Sequence, residues 1–151
     1  MSAPLTEEAR RCIQGLRRDA PDAYRALAAL TRAGAVEGRL AELVKVRVSQ
    51  LNGCDRCRDE HVALALAAGE DEGRLRALPA WRDVDLFDPR ERAALALADG
   101  LTLIAGAPVP DEVLRRAAGR FDGPELAALV VAITAINAWN RVILAGPPPP
   151  P

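Results

Sequence analysis

Aromatic side chains are scarce in this chain: Tyr24, Trp81, Phe87, Phe121 and Trp139 are the only five among 151 residues. That is too few for a platform on which single-stranded bases stack. Neither sign of charge is in excess, since 20 Lys and Arg face 21 Asp and Glu for a net charge of −1. The basic footprint of a nucleic-acid or membrane-surface binder is therefore missing. No apolar run approaches the roughly 20 residues that a membrane span requires. The opening MSAPLTEEARR has no hydrophobic signal region, so a cytoplasmic protein is expected. Cysteine is sparse and odd in number: Cys12, Cys54 and Cys57. Without a signal region, that argues against a structural disulfide framework and toward redox, catalytic or metal chemistry. Histidine occurs once, as His61.

What is present is ordinary globular composition, 50% hydrophobic and 27% charged, at a length that fits one domain. Alanine and leucine dominate, and the alternation of strands is absent. The turn residues fall between stretches of helical period, so the expected fold class is all-α. A first helix is expected from Thr6 to Arg18. Thr6 can cap it, but Ala9 stands where a capping box needs Glu or Gln. A second follows Pro21, with Tyr24, Leu27 and Leu30 on one stripe and Gly34 as its stop. A third runs from Gly38 to Leu51 with Leu40, Leu43, Val44, Val48 and Leu51 as its apolar face. Asn52 and Gly53 then make a tight turn. A fourth runs from Cys54 to Ala68 and closes at Gly69, its alanines favouring close contact along Val62, Leu64 and Leu66. A short piece from Asp71 to Leu78 ends at Pro79. Asp88 and Pro89 open a long helix as N-cap and first turn. The loop from Gly106 to Pro110 breaks it, and a short helix spans Asp111 to Arg120. The last helix, from Gly123 to Leu144, is apolar on most sides, as a buried helix or one covered by another subunit would be. Residues 1–145 are expected to form one helical domain, and Gly146 with the prolines of 147–151 an extended, mobile tail with no assigned role.

One constellation carries chemistry. Cys54 and Cys57 form a C-x-x-C, and His61 lies four residues further on. Spacings of three and four share a helix face, so the three side chains line one stripe. Two thiols one turn apart can close a disulfide, and an imidazole a turn beyond can hold or pass a proton. If Asn52 and Gly53 reverse the chain, the third and fourth helices are antiparallel. Glu42 and His61, about equally far from the turn at roughly 1.5 Å per residue, then stand at one height. The Glu42 stripe continues through Val46 and Ser49 toward the cysteines. A carboxylate, an imidazole and two thiols in line make a proton relay to a thiolate.

Other uses of these residues fit less well. A structural zinc site takes four ligands, and only Cys12 remains outside the stripe. Haem attachment needs His directly after the second Cys, where Arg58 stands. No metal or cofactor is expected. Taken singly, the cysteines could be inert core residues and Glu42 a solvated carboxylate; Cys12 reads as a bystander. A helix N-terminus stabilises a thiolate, which on that ground favours Cys54 as nucleophile. Asp55, Asp59 and Glu60 add negative charge nearby and Arg56 and Arg58 offset it, so the local charge leaves the choice open.

The segment from Glu42 to His61, with the pattern Glu-x11-Cys-x2-Cys-x3-His, resembles the alkylhydroperoxidase D-like (AhpD-like) branch of the carboxymuconolactone decarboxylase family. Ala80-Trp81-Arg82, the stretch from Phe87 to Leu95 and that from Ala135 to Arg141 also match, so the resemblance covers about residues 20 to 145. It implies an all-helical fold, a homo-oligomer such as a trimer or hexamer, and thiol peroxidase activity. It further implies that Cys57 meets the peroxide, that Cys54 resolves the sulfenic acid to a disulfide, and that Glu42 and His61 relay protons. The implied partners are a peroxide substrate and a dithiol reductant, a lipoyl protein or a thioredoxin-like one. The competing readings are a redox-sensing or protein-interaction module switched by the Cys54–Cys57 disulfide, and a lactone decarboxylase. The decarboxylases of the family lack the C-x-x-C pair.

Overall fold

The computed structural model describes residues 15–34, 36 and 38–146, and every regular element among them is helical. In chain order these are α1 (Leu16–Asp19), α2 (Pro21–Ala33), α3 (Gly38–Asn52), α4 (Asp55–Ala67), α5 (Glu72–Ala77), a 3-10 turn (Leu78–Ala80), α6 (Pro89–Thr102), α7 (Asp111–Ala118) and α8 (Gly123–Leu144). The bounds expected for the helices hold to within two residues from Pro21 onward. Of the first expected helix only the turn of α1 can be judged. Thr6, Cys12 and residues 147–151 of the proline tail lie outside the described residues.

Local chemistry explains the starts. At α6 the Asp88 carboxylate accepts the backbone N–H groups of Arg90 and Glu91, while the Glu91 side chain accepts the Asp88 N–H. A reciprocal box of the same kind, Asp122 with Glu125, starts α8, a signal the sequence reading passed over. Proline in the first turn suits α2, α6 and α8, where its missing N–H would have had no partner. Pro79 does not stop the chain from coiling: the short helix tightens into the 3-10 turn through it.

Helix α3 is the centre. One side packs Val44 and Val48 against Ala94, Leu97 and Ala98 of α6 and Leu129 and Ile133 of α8. Another packs Leu43 and Val46 against Ala65 of α4, Leu75, Leu78, Trp81, Phe87 and Leu95. Helix α2 lies on α8, with Tyr24 edge-on to Trp139 at 5.4 Å and the Trp139 indole donating to Thr31 Oγ1 at 2.8 Å. The two helices approach so closely at Gly34 that a Cβ there would sit 2.6 Å from the Ala132 nitrogen.

Three expectations change. Leu30 is exposed and α2 buries no residue completely, because it covers only the outer side of α8. On α4, Leu64 and Leu66 are also exposed, and only Cys57 and Ala65 are buried. Helix α8 is, by length and composition alone, apolar enough to cross a membrane, which counting unbroken apolar runs did not reveal. Its inward face nevertheless carries two asparagines. Asn140 is fully buried and donates to Ser49 Oγ at 3.2 Å, while the Asn52 amide donates to the oxygens of both Asn137 and Asn140 at 2.9 Å. Asn137 in turn donates to Thr102 Oγ1 and to the Ile133 carbonyl. Buried polar groups of this kind are tolerated because each finds a partner.

Asn140→Leu keeps the branched side-chain skeleton but leaves an Asn52 N–H and the Ser49 hydroxyl without partners. It should lower stability by about 1–3 kcal/mol, read as a shift of the urea midpoint at neutral pH. An unchanged midpoint would remove the clamp from the account of stability.

Candidate active site

The reversal between α3 and α4 is built from three residues. Gly53 has φ of 67°, a left-handed conformation that costs any other common residue more. With it there, the Gly53 N–H bonds the Gln50 carbonyl and the Cys54 N–H bonds the Ser49 carbonyl at 3.0 Å. Both are the paired bonds of a helix end closed by a left-handed residue. Cys54 thus ends one helix and begins the next: it is the residue immediately before α4, and its carbonyl accepts the Arg58 N–H.

Cys54 and Cys57 are joined by a disulfide, S–S 2.08 Å with Cα atoms 5.3 Å apart. Both residues are buried, at 1% and 3% exposure, so the sulfurs lie beneath the surface and not on it. One turn further along α4, His61 Nδ1 is 2.7 Å from Glu42 Oε2 on α3. The expected meeting of Glu42 and His61 across the antiparallel pair is therefore present. Cys54, Cys57 and His61 share the one helix end, as their spacing required.

A fifth side chain joins these four. Lys45 Nζ is 2.7 Å from the other Glu42 oxygen, Oε1, and all three side chains are mostly buried. Burial by itself pushes the Glu42 carboxyl up. Hydrogen bonds from His61 and Lys45, with the charges behind them, outweigh it and hold the group below the ordinary glutamate range. An ionised carboxylate only accepts, so the proton of the Glu42–His61 bond sits on Nδ1, and Nε2 is left to accept or pass a proton.

Two features brace the site from outside. The Asn52 clamp ties the residue before Gly53 to α8. On another side of α3, Asp99 of α6 takes Arg47 Nε at 2.7 Å, Arg82 and the Trp81 indole. Burial pushes this carboxyl up as well, and the two guanidinium groups more than reverse it. The charges near the cysteines are partly offset, since Arg58 bridges Asp55 and Asp59 at 2.7 and 2.8 Å. Among the described residues no group of three or more His, Cys, Asp or Glu is placed to hold a metal. Sequence reasoning missed Lys45 and the pairing of Asn52, read only as a turn residue, with Asn137 and Asn140, noted only as part of a matching stretch. The spacing of three between Glu42 and Lys45 was a signal available for the first; the asparagines had none, being 85 and 88 residues from Asn52.

A family model, the carboxymuconolactone decarboxylase family, matches residues 18–100, a span that contains the whole α3–α4 pair. The chain belongs to that family. The uncharacterized protein YdfG of Bacillus subtilis is 41% identical to this member of the family over 115 residues, 76% of this chain and 78% of that protein. A crystal structure of a protein of unknown function from Agrobacterium tumefaciens, assigned provisionally to the AhpD antioxidant defence proteins, superposes with a TM-score of 0.79. It is 33% identical and covers 85% of this chain and 90% of that one. Within the carboxymuconolactone decarboxylase family, this chain lies in the AhpD-like branch.

Glu42 and Asp99 share one pH consequence. Their folded pKa values lie below the unfolded ones near 4, so the stability they add is complete above that range. It is lost as pH falls through the lowered values. Urea midpoints should drop below pH 4 as these two carboxylates take up protons. Asp99→Asn should begin lower at pH 7 and lose less in acid; a loss equal to that of the parent would place the acid sensitivity elsewhere.

Proposed function

We propose that this protein is a thiol-dependent peroxidase working through a Cys54/Cys57 dithiol–disulfide cycle with Glu42 and His61 as proton relay. The observation that carries the reading is the buried C-x-x-C disulfide with a carboxylate–imidazole hydrogen bond one helical turn beyond it. Membership of the AhpD-like branch adds support. In the cycle the Cys57 thiolate attacks the terminal oxygen of a hydroperoxide, the O–O bond breaks, and the alkoxide leaves as alcohol after taking a proton. Cys57 is then a sulfenic acid. The Cys54 sulfur attacks it, an S–S bond forms, and the hydroxyl leaves as water with a proton. A dithiol donor, a lipoyl protein or a thioredoxin-like one, restores both thiols by exchange and is itself oxidised to a disulfide. Glu42 orients His61, and Nε2 holds or gives up the proton at each step.

The roles of the two sulfurs are assigned by the resemblance, and the geometry of the helix end pulls the other way. Cys54 adjoins the positive end of α4, while Cys57 is one turn in, nearer His61. Cys54→Ser and Cys57→Ser proteins treated with stoichiometric hydrogen peroxide and a sulfenic-acid trap, then weighed intact, separate the cases. Trapped label on Cys57 in the Cys54→Ser protein, with little on the Cys57→Ser protein, is the expected result. The reverse makes Cys54 the nucleophile. Equal slow labelling of both would defeat the peroxidase reading. In steady state, turnover with lipoamide, thioredoxin or glutathione is expected from at least one donor. Consumption that stops after one equivalent would favour a redox-sensing module instead.

The reading includes a homo-oligomer, a trimer or hexamer. Support comes from the large apolar side chains left exposed, among them Leu64 and Leu66 on α4, Leu103 and Ile104 after α6, and Leu144 at the end of α8. Light scattering on a sizing column at micromolar concentration should return a multiple of the 16.1 kDa chain mass; a single monomeric peak would overturn this part.

A further inference from the structure

We infer that Lys45 is a positioning residue of the Glu42–His61 pair: by occupying the second carboxylate oxygen it divides the charge of Glu42, so that the carboxylate orients His61 through Nδ1 while drawing a second proton onto the ring less than an unshared carboxylate would. The inference deepens the relay proposed above and rests on it. The geometry is a single carboxylate shared by two nitrogen groups, Lys45 Nζ on Oε1 and His61 Nδ1 on Oε2, each at 2.7 Å. The three side chains are only 14–21% exposed, so solvent does little to screen them.

Consider the same site without the ammonium. An imidazole facing an undivided carboxylate in a mostly buried pocket gains a proton readily, because the resulting ion pair is neutral. A protonated imidazole has no lone pair and cannot accept the proton of a thiol. With Lys45 present the count differs. Lysine and glutamate already cancel, and a proton on His61 would leave a net charge of +1 among the three. The ammonium thus disfavours the imidazolium while leaving the orienting Nδ1–H bond in place. Among the described residues Lys45 and His61 are the charged or titratable partners of Glu42. Of the other charges on α3, Arg47 is bound to Asp99 and Arg39 is exposed. On α4, Arg58 lies one turn before His61 but is bound to Asp55 and Asp59, and Glu60 points into solvent. The sequence holds the clue in the spacing from Glu42 to Lys45, one helical turn on the same face.

His61 is the only histidine of the chain, so its ring protons give one isolated titration by nuclear magnetic resonance, with no turnover needed. The wild type is compared with Lys45→Met, Lys45→Gln and Lys45→Arg. Removing the charge should raise the titration midpoint by about one pH unit in the Met and Gln proteins. Arg, which keeps the charge, should restore the midpoint to within about 0.2 unit of wild type. The pH at which peroxide-driven formation of the Cys54–Cys57 disulfide reaches half its maximal rate should rise by the same amount in the Met and Gln proteins. If the Met protein fails to fold, as judged by circular dichroism, the Gln protein decides, because it retains a donor to Oε1. A midpoint that stays or falls on loss of the charge overturns the inference, and so does an Arg protein that shifts as far as the Met protein. Should wild type reduce no peroxide while the midpoints move as stated, the peroxidase reading fails and the role of Lys45 in setting the charge of His61 stands.

Discussion

The antiparallel reversal at Gly53 is the constraint on which the site depends. A left-handed residue there lets the chain close α3 and open α4 within two residues. Any longer connection would shift α4 along α3, at about 1.5 Å for each residue of slip. Glu42 and His61 meet because they lie about ten residues before and about nine residues after Asn52, nearly the same distance from the turn on its two sides. The disulfide, at the turn itself, and the hydrogen-bonded pair, two turns from it, are consequences of one backbone conformation.

A hairpin of two helices does not hold such an arrangement alone, since α4 buries little besides Cys57 and Ala65. The rigidity comes through α3, which is gripped on its other sides. Two apolar clusters divide its core-facing residues. Two polar devices add direction to that packing. The bidentate contact of Arg47 with Asp99 fixes the rotation of α3 against α6. The Asn52 clamp fixes its C-terminal end against α8. Apolar contacts tolerate small slips, whereas a buried amide that loses its partner does not, because the unpaired group cannot find water. The asparagines thereby pass the position of α8 to the turn that carries Cys54.

The electrostatic design is one of local cancellation. Arg58 bridges the two carboxylates at the start of α4, two guanidinium groups surround Asp99, and Lys45 shares Glu42 with His61. Each cluster thereby stays within one unit of neutrality, as does the chain as a whole. Neither the Bacillus subtilis relative nor the Agrobacterium tumefaciens structure carries an established activity. The chemical reading therefore rests on the side chains brought together in this chain.

The helices, their caps and the cysteine–histidine stripe were legible in the sequence because they depend on contacts within four residues, where spacing dictates geometry. Even the meeting of Glu42 with His61 followed from short-range rules, once the turn at Asn52 and Gly53 was read as a reversal. The sequence therefore determined an all-helical chain and the line of four candidate residues. The tertiary structure decided which faces are covered. Leu30 lies on the apolar stripe read for α2, and Leu64 and Leu66 lie along α4, yet each is exposed, because an apolar residue in a helix states a preference and not the presence of a neighbour. It also decided that Asn137 and Asn140 of the most apolar helix face inward, where Asn52 meets them. Pairing across 85 residues or more leaves no periodic trace in the chain, and only the packed fold brings donor and acceptor within 3 Å.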